Sequence, residues 1–151
     1  MRVVVQRVAR ASVSVDDRVV GAIDHGLLLL VGIEPDDDER DVDAMADKVL
    51  GLRIFADDDR RMNLDVGQVG GGVLVVSQFT LSADVRRGRR PSFTGAAPPQ
   101  RAEPLVQHLA DRIAEAGVSV ETGVFGATMQ VESVNDGPVT IVVDVHDGRV
   151  G

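Results

Sequence analysis

Cysteine is absent from the 151 residues, which removes disulfide frameworks, thiolate nucleophiles and thiolate metal ligands together. Histidine occurs at three isolated positions, His25, His108 and His146, with none of the spacings that hold a metal. No metal and no other cofactor is expected. Long hydrophobic runs are missing too: Gly26 to Ile33 is apolar but too short to span a bilayer. The chain opens on the alternation Arg2, Val4, Gln6, Val8, a strand pattern rather than a signal-peptide layout. These absences predict a cytoplasmic protein with no membrane partner. Lysine occurs once, at Lys48, and arginine supplies the remaining cations. The glycine-rich stretch Gly67 to Gly72 lacks the Gly-Lys-Ser/Thr of a phosphate loop.

What is present is a core-forming composition. With 44% hydrophobic residues over this length, one domain covering residues 1–151 is expected, with no repeat or linker. The net charge of −8 argues against a general nucleic-acid binder, and DNA is not an expected partner. Charge is unevenly spread, however. Asp36, Asp37, Asp38, Glu39, Asp41 and Asp43 crowd one segment, and Arg86, Arg87, Arg89 and Arg90 another. A local basic patch on an acidic protein can still hold one RNA end.

Periodicity divides the chain into strands and two helices. Arg2 to Val15 alternates as one long strand or two, Asp16-Asp17 turns, and Arg18 to Ile23 returns as a hairpin partner. Leu27 to Val31 reads as a continuous buried strand. From Asp36 to Leu52 the period becomes helical, with Val42, Met45, Ala46, Val49 and Leu50 on one face. The acidic cluster then occupies the first turns, where it complements the helix dipole, and this accounts for it better than a metal site does. Arg53-Ile54-Phe55 predicts a short strand, and Gly72 to Val76 a buried central one. Ser82 to Pro99 is a long irregular loop, a kind that in compact domains usually carries function. A second helix opens on Pro98-Pro99, buries Ala102, Leu105, Val106, Leu109 and Ile113, and stops at Gly117. Strands follow over 118–124, 129–134 and 139–145, with a tight turn Asn135-Asp136-Gly137-Pro138 between the last two. The prediction is an α+β fold: a curled, barrel-like, mostly antiparallel or mixed sheet with two helices packed outside. Exposed edges of such a sheet make pairing with a second copy one way to protect them.

The central strand ends on Ser77-Gln78-Phe79-Thr80-Leu81. Polar groups carried to the rim of a core need partners, from nearby backbone or from a ligand. Neither Ser77 nor Thr80 has a histidine near it in sequence, so no nucleophile–base pair is evident. An enzyme built on this rim would draw much of its catalytic chemistry from its substrate.

Ser77-Gln78-Phe79-Thr80-Leu81 together with Asn135-Asp136-Gly137-Pro138-Val139-Thr140 resembles the signature pair of the D-aminoacyl-tRNA deacylases. The resemblance extends to residues 1–8, Leu52-Arg53-Ile54-Phe55, the run from Arg89 to Pro99, and Val120 to Gly126, and so is collinear over nearly the whole chain. Thr128 departs from it, standing where an acidic residue or histidine is expected, and the tail after Asp144 runs on. The resemblance implies hydrolysis of the ester between a D-amino acid and the 3′-terminal adenosine of tRNA, and removal of glycine from mischarged tRNA. It implies a homodimer in which Ser77, Gln78, Phe79 and Thr80 of one subunit form the catalytic rim. Gly137, Pro138, Val139 and Thr140 of the other then select chirality through a cis Gly137–Pro138 bond. Arg86, Arg87, Arg89 and Arg90 are the candidate tRNA contacts. Four alternatives stand at this level: hydrolysis assisted by the tRNA 2′-OH, hydrolysis through Thr80 as covalent nucleophile, a non-catalytic module for tRNA ends, and a bare structural dimer. The lack of a base near Thr80 favours the first over the second, and the full motif pair favours an enzyme over the last two.

Overall fold

Alternation of valine with polar residues makes Arg2–Val15 the longest early strand, β1, and the computed structural model, which describes residues 1–151, shows how one strand serves two cores. Val3 and Val5 point to the face covered by helices. Val8, Ala11 and Val13 point to the opposite face. A strict two-residue period would send position 11 back to the side of position 3. Instead the register against the neighbouring strand slips between Val8 and Arg10, leaving Ala9 as the extra residue, and the slip inverts the facing.

The remaining strands are β2 (Arg18–Ile23), β3 (Gly26–Gly32), β4 (Phe55–Ala56), β5 (Met62–Leu64), β6 (Gly72–Ser77), β7 (Ser119–Thr122), β8 (Gln130–His146) and β9 (Arg149–Val150). The main sheet runs β7-β6-β3-β1-β8-β9, with β2 paired to the far half of β1, while β4 and β5 form a separate ribbon. The sheet is mixed: β1 is antiparallel to β2, β3 and β8, whereas β3, β6 and β7 are parallel. Its curl brings β2 over β6 and β7, so close that a side chain at Gly21 would meet the Thr122 carbonyl at 2.6 Å. Inside the curl lies a small core of Val8, Ala11, Val13, Ile23, Leu28, Leu74 and Val76. Gly26 and Gly72 face each other where β3 and β6 begin, and a Cβ on Gly26 would overlap the Gly72 carbonyl.

Helices α1 (Glu39–Gly51) and α2 (Pro99–Glu115) cover the outer face. Val42, Met45, Ala46 and Val49 from α1 and Leu105, Leu109 and Ile113 from α2 meet Leu27, Leu29, Val31, Val73 and Val75 there. Helix α1 starts three residues later than its acidic run. Asp38 caps it, accepting from the Arg40 N–H, and Asp41 reaches back to the Asp38 N–H at 3.0 Å. Asp37 stays outside the helix. Its carboxylate accepts from the Met1 ammonium at 2.5 Å and from the Glu34 N–H at 2.6 Å, and both Met1 and Asp37 are buried. Glu34, Asp37 and His146 approach one another, and the Asp37 carboxylate of this group is already paired with the Met1 ammonium. No helix is long and apolar enough to cross a membrane.

Two expectations are corrected by the fold. Arg53 and Ile54 precede a strand of only Phe55–Ala56. Residues 135–138 are no hairpin turn: β8 is one strand, and both of its halves pair with β1. Asn135 opposes Val8 and Thr140 opposes Gln6, so Asp136 to Val139 protrude where β1 spends one residue, Arg7.

Candidate active site

Strand β6 ends at Ser77, and the Gln78 N–H donates to the Val31 carbonyl at 2.7 Å, extending the β3–β6 pairing by one bond. Beyond it Phe79–Ser82 winds into a single 3₁₀ turn, with the Leu81 N–H on the Gln78 carbonyl. The chain therefore reverses at the sheet rim and leaves Phe79 and Thr80 exposed while Ser77 and Gln78 are half-buried. The Gln78 side-chain amide donates to the Thr80 hydroxyl oxygen.

A cavity of about 280 Å³ opens beside this rim. Its floor is Val31, Ile33 and Ala97, and its walls are Ser77, Gln78 and Phe79 on one side and Pro99, Ala102, Val106, Phe125 and Gly126 on the other. A second hollow shares Ser77, Gln78, Phe79 and Gly126 with the first and is bounded also by Ala127, Met129 and Val131. The site is thus mostly apolar with polar groups confined to one strand end, the usual make-up of a small-molecule pocket. Val106 packs against the core, as the helical period predicts, and lines the cavity as well. Phe125 sits past the end of β7 in the turn closed by Ala127 N–H on the Val124 carbonyl. Thr128 follows that turn, exposed.

Each of the three histidines is engaged elsewhere. His25 packs edge-on against Phe55 and faces Asp136 at 3.9 Å, His108 meets Asp43 at 3.0 Å between the helices, and His146 lies 3.8 Å from Glu34. The rim itself holds hydroxyls, an amide and main-chain N–H groups.

The second motif lies at the other end of the molecule. Asp136 to Val139 leave the sheet opposite Arg7, and the protrusion is held from below. Arg7 donates to the Asp136 carbonyl at 2.8 Å and to the Ile54 carbonyl, and Asn135 accepts from the Val139 N–H at 2.7 Å while donating to the Thr140 hydroxyl at 3.0 Å. Gly137–Pro138 is a cis peptide, and both residues are exposed at the tip. Asn135 shares a row with Val8, Gly26 and Gly72, whereas Ser77 shares one with Val31 and Val3. Five residues separate the two rows along β1, β3 and β6, about 16 Å at about 3.3 Å per residue. Within one chain the two motifs do not meet.

The arginine segment forms a small hairpin. Asp84 and Ser92 exchange backbone hydrogen bonds of 2.7 and 2.9 Å, and Gly88 at its tip takes φ +70°. Arg86 is clamped by Asp84 through Nε at 2.9 Å and the terminal nitrogen at 2.7 Å, and this hydrogen bond holds the Asp84 carboxyl down at about 2. Arg87, Arg89 and Arg90 project into solvent.

Residues 4–144 match the family described as D-Tyr-tRNA(Tyr) deacylase. A D-aminoacyl-tRNA deacylase of Koribacter versatilis is 56% identical over 144 residues, covering 95% of this chain and 97% of the relative. One from Salmonella typhimurium is 53% identical over 145 residues, covering 96% and 100%. A solved structure, the c-Myc DNA Unwinding Element Binding Protein, superposes with a TM-score of 0.90 at 37% identity over 97% of this chain and 99% of its own. A family match running almost end to end, with more than half the aligned residues identical to those of a relative covered over nearly its full length, establishes that the chain belongs to the D-Tyr-tRNA(Tyr) deacylase family.

Proposed function

We propose that this protein, acting in the cytoplasm as one domain over residues 1–151, hydrolyses the ester that joins a D-amino acid to the 3′-terminal adenosine of tRNA. Water adds to the ester carbonyl, the bond to the ribose 3′-oxygen breaks, that oxygen takes the proton, and free D-amino acid and tRNA leave. The observation that carries the proposal is the rim Ser77–Thr80, which opens on an apolar cavity whose lining holds no histidine and no carboxylate. Main-chain N–H groups of Phe79 and Thr80 stand outside the bonds that fix Gln78 and Leu81, and are the donors proposed for the developing oxyanion. The substrate's 2′-OH then helps to activate the water. Thr80 already accepts from Gln78, and without a base its hydroxyl is a poor nucleophile, which favours this route over an acyl-enzyme. The relatives' names support the substrate assignment.

Selection against L-amino acids is assigned to Gly137–Pro138 of a second subunit. The separation of about 16 Å between the two motifs within a chain requires another copy if both are to line one site. Glycine carries no side chain to clash and is removed as well. Assay of D-tyrosine release from D-tyrosyl-tRNA, beside the L-tyrosyl ester, tests the activity. Contribution in trans is tested by mixing. A Gly137→Ala/Pro138→Ala chain alone is expected to admit the L-ester. With excess Val106→Trp chain, whose own cavity is filled, each open cavity faces an intact tip and L-hydrolysis is suppressed. Persistent L-hydrolysis in the mixture places the selector in the same chain.

A further inference from the structure

Aromatic side chains are scarce: the chain has four phenylalanines and neither tryptophan nor tyrosine. Phe55 is buried in the main core. Of the other three, two line the cavity and the third packs on one of them. Phe125 is in its wall, and Phe79 packs against Phe93 edge to face, with ring centroids 5.1 Å apart at 73°. The pair is nonetheless in water, with Phe79 58% and Phe93 38% exposed. A perpendicular pair leaves at least one face of each ring free. Phe79 lines the cavity and Phe93 packs on it, so two of the four aromatic rings stand exposed together beside a hollow, an arrangement that suits a planar ligand.

Phe93 is also held in place. It follows Ser92, which closes the arginine hairpin on Asp84, and its carbonyl accepts from Ala96 at 3.0 Å just before Ala97 is bonded to Ile33 at 2.9 Å. Ring and hairpin are thus one pre-organised unit, and Arg87, Arg89 and Arg90 carry charge that no carboxylate of the loop takes up. Free aromatic faces beside unpaired guanidinium groups are the equipment with which proteins hold single-stranded nucleic acid: bases stack and phosphates are neutralised.

We propose that Phe79 and Phe93 form a stacking platform for the unpaired nucleotide that precedes the esterified one, with the hairpin arginines on its phosphates. The proposal rests on the deacylase function above and narrows its substrate class. The site recognises an ester carried on a single-stranded 3′ overhang of at least two nucleotides, rather than an ester of an isolated nucleoside.

The test uses Phe93→Leu, which keeps apolar bulk without a ring, and Phe93→Tyr, which keeps the ring. A single-stranded RNA with 2-aminopurine at the penultimate position reports stacking through fluorescence quenching. The parent protein and Phe93→Tyr are expected to quench it, and Phe93→Leu is expected not to. In parallel, the ratio of kcat/KM for D-tyrosyl-tRNA to that for 3′-D-tyrosyl-adenosine is expected to fall about tenfold in Phe93→Leu, through KM, within the range of one base–aromatic stack. Phe93→Tyr restores the ratio. The platform is overturned if Phe93→Leu lowers both esters equally, if it changes neither quenching nor ratio, or if light scattering shows that the leucine variant alters the oligomeric state, since Phe93 then serves a subunit contact. A parent protein that quenches the probe yet hydrolyses neither ester keeps the platform and refutes the deacylase function, so the two failures are distinguishable.

Discussion

Replacing Arg87, Arg89 and Arg90 by alanine is expected to weaken tRNA binding without changing which amino acid is accepted. The three guanidinium groups stand on the hairpin between Asp84 and Ser92, away from the cavity floor. Arg86, in the same loop, is different: Asp84 chelates it through two short hydrogen bonds, so its charge is already matched. Each phosphate contact contributes about 0.9 to the slope of log K against log salt on a duplex and about 0.7 on a single strand, so three contacts contribute about 2 to 3. A fourfold rise in salt then weakens the parent about 20- to 40-fold through these contacts alone, and the triple variant escapes that share of the loss. Arg86→Ala is expected to leave the slope nearly unchanged, whereas Asp84→Asn frees Arg86 and steepens it by about one contact's worth. Fluorescence anisotropy of labelled tRNA between 50 and 200 mM salt, on the scale of about that range used for such slopes, measures all four proteins. An unchanged slope in the triple variant refutes phosphate contact. Acceptance of L-aminoacyl-tRNA by that variant would mean that the loop shapes the pocket instead.

Four further outcomes follow from named contacts. Asp84, held at about 2 by the Arg86 hydrogen bond, is expected to titrate near that value by carboxyl NMR and to return toward about 4 in Arg86→Ala; because the folded value is depressed, its contribution to stability is present above about pH 4 and is lost as pH falls toward 2. Asp37→Ala leaves the buried Met1 ammonium without its carboxylate and is expected to cost about 3–5 kcal/mol in denaturant unfolding, with a loss under 1 kcal/mol refuting the buried pair. Leu109→Ala empties a fully buried position between α2 and the sheet and is expected to cost about 2–5 kcal/mol by the same measurement. Thr80→Val is expected to retain single-turnover deacylation, since loss of a true covalent nucleophile costs on the order of 10⁶ in kcat, and a trapped acyl-enzyme on the parent would overturn this.

Sequence pattern reached most of the fold because most of it obeys a single period. The helical stripe Val42, Met45, Ala46, Val49 is buried as read, and the Gly72–Val76 run is a buried strand with both faces covered. Pattern failed where one element changes its rule along its length. β1 inverts its facing at Ala9, and nothing in Val8-Ala9-Arg10-Ala11 announces a bulge. The segment 135–138 carries the residues of a tight turn, and local chemistry alone predicts one. Only the pairing of both flanks with the same strand, a contact more than a hundred residues away in sequence, makes it a protrusion instead. At the site, the rim residues were legible as polar groups ending an apolar strand. The Phe79–Phe93 pair and the cavity were not, because a ring in an irregular loop and a hollow beside a helix leave no periodic trace: Val106, on the helical stripe as read, packs against the core and lines the hollow as well.

The placement of the two motifs follows from this topology. A rim must lie where a buried strand ends, which puts Ser77 at the carboxyl end of β6, in the row of the core residues Val31 and Val3. A rigid tip can only be raised from a strand anchored on both sides, which puts Gly137–Pro138 in mid-β8, where Arg7, Asn135 and Thr140 tie its base to β1. Parallel pairing of β3 with β6 fixes these two places at opposite ends of the same sheet. A chain that folded the tip back over its own rim would need a loop some 16 Å long, at about 3.3 Å per residue, in place of a four-residue excursion, and would lose the strand anchorage that makes the tip stiff. In the proposed dimer a second copy related by two-fold symmetry would supply a stiff tip to each rim with no added chain, so that chiral selection, rather than hydrolysis itself, would depend on assembly.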